Sequence, residues 1–180
     1  MFKKITENNI LFFLIKAFLL YLLWYVSYDL FLHPKGFLDN LVAKNLAFWS
    51  SLILKTFGFI AIDSEAISTE NITIIGIDGT SGLWVGDPCN GITLFALFIG
   101  FVVAYPGSIK NKLWFIPLGM IFIHIINILR IVGLCMVLYY SPKTLDFNHT
   151  YTFTIIVYAF VFGLWLLWAN RFSQLHAPNK

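Results

Sequence analysis

Four apolar runs dominate the chain, at residues 10–32, 92–105, 113–140 and 151–169. A helix needs roughly 20 consecutive apolar residues to cross the hydrocarbon of a bilayer. Three of the runs meet that length. The fourth stops early at Tyr105-Pro106-Gly107 and spans only with local thinning or by extension toward Ile109. Composition points the same way: 59% of residues are hydrophobic and 12% charged, whereas soluble domains carry about 25% charged residues. The chain therefore reads as one all-α integral membrane domain over residues 1–180, with no repeats and no low-complexity tract. Lys3-Lys4 precede the first run as in a signal peptide. That run is too long for a cleaved core and lacks a small-residue cleavage site, so a retained first span is expected.

The segment 41–62 has a different pattern. Lys44, Ser51 and Lys55 recur at helical spacing on one face, while Trp49, Leu52, Ile53 and Ile60 mostly fill the other. This suits an amphipathic helix lying in the membrane interface at least as well as one that crosses it. Residues 72–77 form a β-branched run, followed by Asp78-Gly79-Thr80-Ser81-Gly82 and Leu83-Trp84-Val85. Two short apolar runs around a Gly-rich turn predict a small β-hairpin outside the bilayer. Residues 56–109 hold no Lys or Arg but several acids, whereas Lys110, Lys112 and Arg171 flank the spans. The positive-inside rule then places both termini and the 106–112 turn in the cytoplasm. About four spans satisfy this, with 41–62 not crossing. The first unit, 1–85, holds the first span, the interfacial helix and the hairpin; the second, 86–170, holds the core helices.

In that topology three reactive side chains reach one depth. Cys89 sits at the outer end of the short span. Arg130 lies about 25 Å above the start of the run at Leu113, at 1.5 Å per residue, close to the outer boundary of a core about 30 Å thick. His149 precedes the last span, again on the outer side. A thiolate is the nucleophilic form of cysteine, and a neighbouring cation favours it. An imidazole can take the thiol proton and return it to a leaving amine. A fixed guanidinium can stabilise the thiolate or the oxyanion of an acyl-transfer intermediate. Pro88 and Gly91 are expected to shape a tight turn around the sulfur, and a helix opening at Ile92 adds a favourable dipole. Asp87 opposes a thiolate and is expected to point away.

Each of these residues also has a plainer reading: Cys89 as a small packing residue, Arg130 snorkelling to headgroups, His149 solvated in a polar loop. Ionisable groups within spans are nevertheless functional candidates by default. His124, Asn127 and Arg130 recur at i, i+3 and i+6 as a polar stripe. Asn127 is expected to hydrogen-bond Arg130 or a facing helix, and His124 to make an interhelical bond rather than hold a metal. Cys135, five residues beyond Arg130, points elsewhere and reads as core. Lys16 and Asp29 lie near span ends or within snorkelling reach. Nothing in the pattern calls for a metal, a cofactor or nucleic acid.

The order Pro88-Cys89-Asn90-Gly91-Ile92-Thr93-Leu94, then Asn127-Ile128-Leu129-Arg130, then Asn148-His149-Thr150-Tyr151 resembles the exosortase/archaeosortase family over residues 86–169. The nearest likeness is to the short exosortase F type of Gram-negative bacteria. The resemblance implies that Cys89, Arg130 and His149 form a catalytic triad. Many members carry Ser or Thr where Asn90 stands; Asn90, Gly91 and Asn127 are supporting candidates. It further implies a cysteine transpeptidase or protease at the periplasmic face of the inner membrane. Its substrates would be exported proteins with a C-terminal motif, a transmembrane helix and a basic tail. A thioester intermediate would pass to an acceptor on a glycan or lipid, or to water. The alternative is a non-catalytic polytopic protein, such as an assembly factor or transporter subunit. A thiol-redox protein would need a partner for Cys89, and a serine protease would need a nucleophile that Ser81, in the hairpin turn, does not supply.

Overall fold

The computed structural model of the chain describes residues 7–62, 73–86 and 89–173. Lys3, Lys4, Asp87 and Pro88 lie outside the described residues. Helix α1 (Glu7–Ser27) continues through a wide π-turn at Tyr28–Leu32 and a tight turn at His33–Lys35, where Pro34 and the left-handed Gly36 end it. Helix α2 is Phe37–Thr56. Strands β1 (Thr73–Ile75) and β2 (Leu83–Val85) pair antiparallel, with Ile74 opposite Trp84. Helix α3 is Ile92–Ala104 and α4 is Ile109–Tyr140. A helical lead-in from Pro142 to Thr152 enters α5 (Phe153–Leu167), and a last π-turn covers Trp168–Phe172.

Among the described residues, three helical stretches are long and apolar enough to cross a membrane: Ile10–Lys35, Ile109–Tyr140 and Pro142–Phe172. Helix α3, at 13 residues, is about 20 Å long at 1.5 Å per residue and falls short of the hydrocarbon thickness. The fold is thus a mostly helical membrane protein with a two-stranded sheet. Earlier helix starts than the apolar runs suggest are the main boundary difference. Lys110 and Lys112 belong to the first turn of α4, which Ser108 caps by accepting from the Asn111 amide at 3.2 Å. The Lys112 ammonium donates to the carbonyls of Val103 and Tyr105 at 2.8 and 2.9 Å. It therefore caps α3, whose last carbonyls have no helical partner.

Side-chain contacts fix how the helices run. Phe98 of α3 meets Phe115 of α4, and Phe115 meets Trp168 beyond α5. Phe13 of α1 meets Phe101 and Tyr105 at the end of α3. Neighbouring helices are therefore antiparallel around the Tyr105–Ser108 turn, and the opposite end of the bundle carries the hairpin. Two buried clusters stack along the bundle. One, near that turn, holds Phe98, Val102, Phe115, Ile123, Val161 and Trp168. The other, at the hairpin end, joins Leu46 and Leu54 of α2, Ile75 and Val85 of the sheet, and Ile131 and Cys135 of α4. Cys135 is core, as its spacing implies.

Helix α2 lies along the hairpin-end half of α4, from Asn45 beside His124 to Phe59 beside Tyr139. The face that packs against the protein is a third one, rich in small residues. Ala43, Leu46, Ala47, Ser50 and Leu54 are buried, while Trp49 and Leu52 point outward and Ile60 lies past the helix, 73% exposed. In an apolar environment large side chains gain little by leaving it, so small residues that allow close backbone approach define the contact. His124 shares 2.7 Å with Asn45 of α2, the interhelical bond expected of it.

Candidate active site

The three reactive side chains converge where the two clusters abut. Cys89 and Asn90 close a turn in which both backbone amides donate to the Gly86 carbonyl, at 2.6 and 3.0 Å. Gly91 follows in the left-handed region, φ +84°, and α3 opens at Ile92. Cys89 is half-buried three residues ahead of Ile92. Arg130 stands about 32 Å along α4, counted from Ile109 at 1.5 Å per residue, and α4 runs about 15 Å beyond it against α2 and the sheet. His149 lies in the π-turn at Asn148–Thr152 that feeds α5. It sits on a helical segment, not in the polar loop that its neighbours suggest. Its carbonyl accepts from Thr154 Oγ1 at 2.8 Å, which ties the wide turn to the next one.

Across 60 residues, Cys89 Sγ lies 3.1 Å from His149 Nε2. Arg130 Nη2 is 3.5 Å from the same nitrogen and 4.0 Å from the sulfur. With Nε2 as acceptor, the ring is the Nδ1–H tautomer and is set to take the thiol proton; with Nε2 protonated, it donates to the sulfur. Among the described residues no carboxylate lies within ion-pair distance of Arg130, and its buried Nε has no protein partner. The guanidinium therefore presents its charge to the sulfur and imidazole.

The supporting candidates surround the turn. Asn127 donates to the Cys89 carbonyl at 3.2 Å, so its partner is the reactive turn itself and not Arg130. Asn90 is buried; its carbonyl oxygen accepts from the Ile92 amide at 3.0 Å, satisfying an N-terminal donor of α3. Its Nδ2 donates to Asp39 of α2 at 2.6 Å. Asp39, which sequence reasoning missed, also accepts from the Tyr28 hydroxyl at 2.6 Å and faces His33 Nδ1 at 3.6 Å. An acid in the first turn of a helix is commonplace, and nothing in the spacing joins Asp39 to Cys89. Cys89 and Cys135 are both free thiols.

Helical spans and a thiol–imidazole–guanidinium cluster beside the hairpin define a polytopic membrane protein with a candidate cysteine-based centre. The transmembrane exosortase family matches residues 8–169. The chain belongs to that family, and the match extends well ahead of the motifs that carry the resemblance. No curated protein and no solved structure matches it.

Proposed function

We propose that the protein is a cysteine transpeptidase or protease that removes C-terminal sorting tails from exported proteins. The observation that carries the reading is the 3.1 Å approach of Cys89 Sγ to His149 Nε2 beside the Arg130 guanidinium. The sulfur attacks the scissile carbonyl carbon while its proton passes to Nε2. The carbonyl oxygen becomes an oxyanion near Arg130. Collapse of the intermediate breaks the C–N bond, and imidazolium returns the proton to the departing amine. The acyl group remains on Cys89 as a thioester. An amine or hydroxyl on a glycan or lipid, or water, then attacks that carbonyl, gives its proton to His149 and frees the thiol.

In this reading the protein lies in the bacterial inner membrane and the hairpin end faces the periplasm, as the distribution of basic residues favours. Helices α1, α3, α4 and α5 cross as four spans, and α2 packs upright along the outer half of α4 without crossing, with Lys44 and Lys55 exposed. Substrates carry a short motif, one transmembrane helix and a basic tail, so that the motif meets Cys89 at the membrane surface. The subtype is the short exosortase F type. The test is processing of a co-expressed candidate substrate with such a tail. Cys89→Ala, Arg130→Ala and His149→Ala are each expected to abolish tail removal at unchanged protein abundance. Retained processing in the Cys89→Ala variant overturns the enzyme reading.

A further inference from the structure

A pocket of about 180 Å³ opens at the sulfur, bounded by Cys89 and His149. Its remaining walls are apolar: Leu83 and Trp84 from β2, Ile131 and Leu134 from α4, and Leu145 from the lead-in to α5, with Asp146 at the rim. Successive side chains of a strand point to opposite faces of its sheet. A pocket touched by both Leu83 and Trp84 therefore lies along the edge of β2, not under one face. No residue of β1 lines it, and among the described residues the two-stranded order leaves that edge of β2 without a strand. Trp84 is 71% exposed there. From Val85 the chain needs only Gly86 and the two following residues to reach Cys89.

Resting on the enzyme reading above, we propose that β2 receives the substrate by strand addition. The segment to be cut binds extended along the open edge of β2, and its residue on the acyl side of the scissile bond places an aliphatic side chain in this pocket. Backbone pairing with an unpaired edge supplies affinity without reading sequence, while alternate side chains enter pockets that do read it. The apolar walls beside the sulfur favour an uncharged, aliphatic side chain over a charged one. Asp146 disfavours an acidic residue there, because like charges at close range repel. The occupant is a peptide in β conformation, so a substrate's transmembrane helix must begin beyond the bond that is cut.

The test uses Cys89 as its own reporter in the full-length protein in membranes. Tripeptidyl chloromethyl ketones bearing Ala, Val, Leu, Trp or Glu next to the reactive carbon are compared with iodoacetamide, and alkylation at Cys89 is followed by mass spectrometry. Relative to iodoacetamide, the Val and Leu reagents are expected to react about 10-fold or more faster than the Glu reagent. N-methylation of the peptide is expected to slow labelling at alternate amides only. Leu145→Trp, which fills the pocket, is expected to shift the preference to Ala. Trp84→Ala, a change at an exposed position, is expected to narrow the discrimination. Ketone rates indifferent to side chain and to N-methylation, with iodoacetamide still labelling Cys89, overturn strand addition and leave the enzyme reading standing. Cys89 unlabelled by every reagent overturns both.

Discussion

The Asn90 amide donates to the Asp39 carboxylate at 2.6 Å, bridging 51 residues and fastening the reactive turn to the start of α2. The same carboxylate oxygen takes the Tyr28 hydroxyl at 2.6 Å, so the end of α1, the start of α2 and the turn before α3 meet at one acceptor. Asn90 serves two masters here, because its own oxygen holds the Ile92 amide. The turn cannot shift without breaking one of these bonds.

Exchanging the partners separates their pairing from their individual sizes. Asp39→Ala removes the acceptor of the buried Asn90 amide and of the Tyr28 hydroxyl and is expected to cost about 1–3 kcal/mol of stability. Asn90→Asp sets two carboxylates side by side and is expected to be at least as damaging. Asp39→Asn with Asn90→Asp restores one amide–carboxylate pair and is expected to recover most of the loss. Thermal unfolding in detergent measures stability, and the iodoacetamide rate at Cys89 measures the turn. A double variant no better than the worse single variant removes the pairing argument.

The reactive trio predicts non-additive kinetics. His149→Ala removes the proton carrier and is expected to slow tail removal about 10²-fold or more. Arg130→Lys keeps the charge but not the position of Nη2, the one nitrogen near both Sγ and Nε2, and a loss of about 10²-fold is expected. In the proposed mechanism both groups serve one step, so the double variant is expected to be little slower than the His149→Ala variant. Initial cleavage rates at matched abundance decide this; multiplicative losses would show that the two act separately.

Gly91 and Asn127 form a second coupled pair. A Cβ at Gly91 would lie 2.8 Å from Asn127 Nδ2, and the backbone there is left-handed at φ +84°. Gly91→Ala is expected to cost about 1–3 kcal/mol and to displace the amide that holds the Cys89 carbonyl. Asn127→Ala alone loses one hydrogen bond, about 0.5–1.5 kcal/mol. In an Asn127→Ala background the steric part of Gly91→Ala disappears while the backbone part stays. The double variant is therefore expected to unfold at higher temperature than the summed single losses imply.

The parts of this fold that were readable in sequence are those ruled by chain geometry. A fixed rise per residue places Arg130 along its helix, and the short apolar run ends within one residue of α3 at Ala104. The β-branched run, the Gly-rich turn and Leu83–Val85 give the hairpin. Cys89, Arg130 and His149 could be set at one depth, but contact between them depends on how α4 and the lead-in to α5 pack, which depth does not determine. Which face of α2 packs on α4 is not legible from hydrophobicity, because large apolar residues such as Trp49 and Leu52 point outward; Ala43, Ala47 and Ser50 make the contact by size. Asp39 and Lys112 were missed for a related reason. Their partners are a side chain 51 residues away and two backbone carbonyls, and neither leaves a periodic trace.

Size decides the packing of α3 on α4 as well. The Phe98 ring is fully buried and lies over Gly119 so closely that an added Cβ would fall 2.1 Å from its Cζ. The ring is walled by Phe115 and has no open side to turn toward. Gly119→Ala must therefore push the helices apart, at an expected cost of about 1–3 kcal/mol for overpacking. Since α3 carries the reactive turn at its start, the displacement is expected to reach Cys89 and lower its iodoacetamide rate. Gly163→Ala, where nothing lies within 4 Å of the new Cβ, is the matched control and is expected to be neutral. Phe98→Leu makes room and is expected to rescue Gly119→Ala in thermal unfolding. If Gly119→Ala unfolds at the same temperature as the Gly163→Ala control, the ring is not seated on the glycine and the α3–α4 contact has been misassigned.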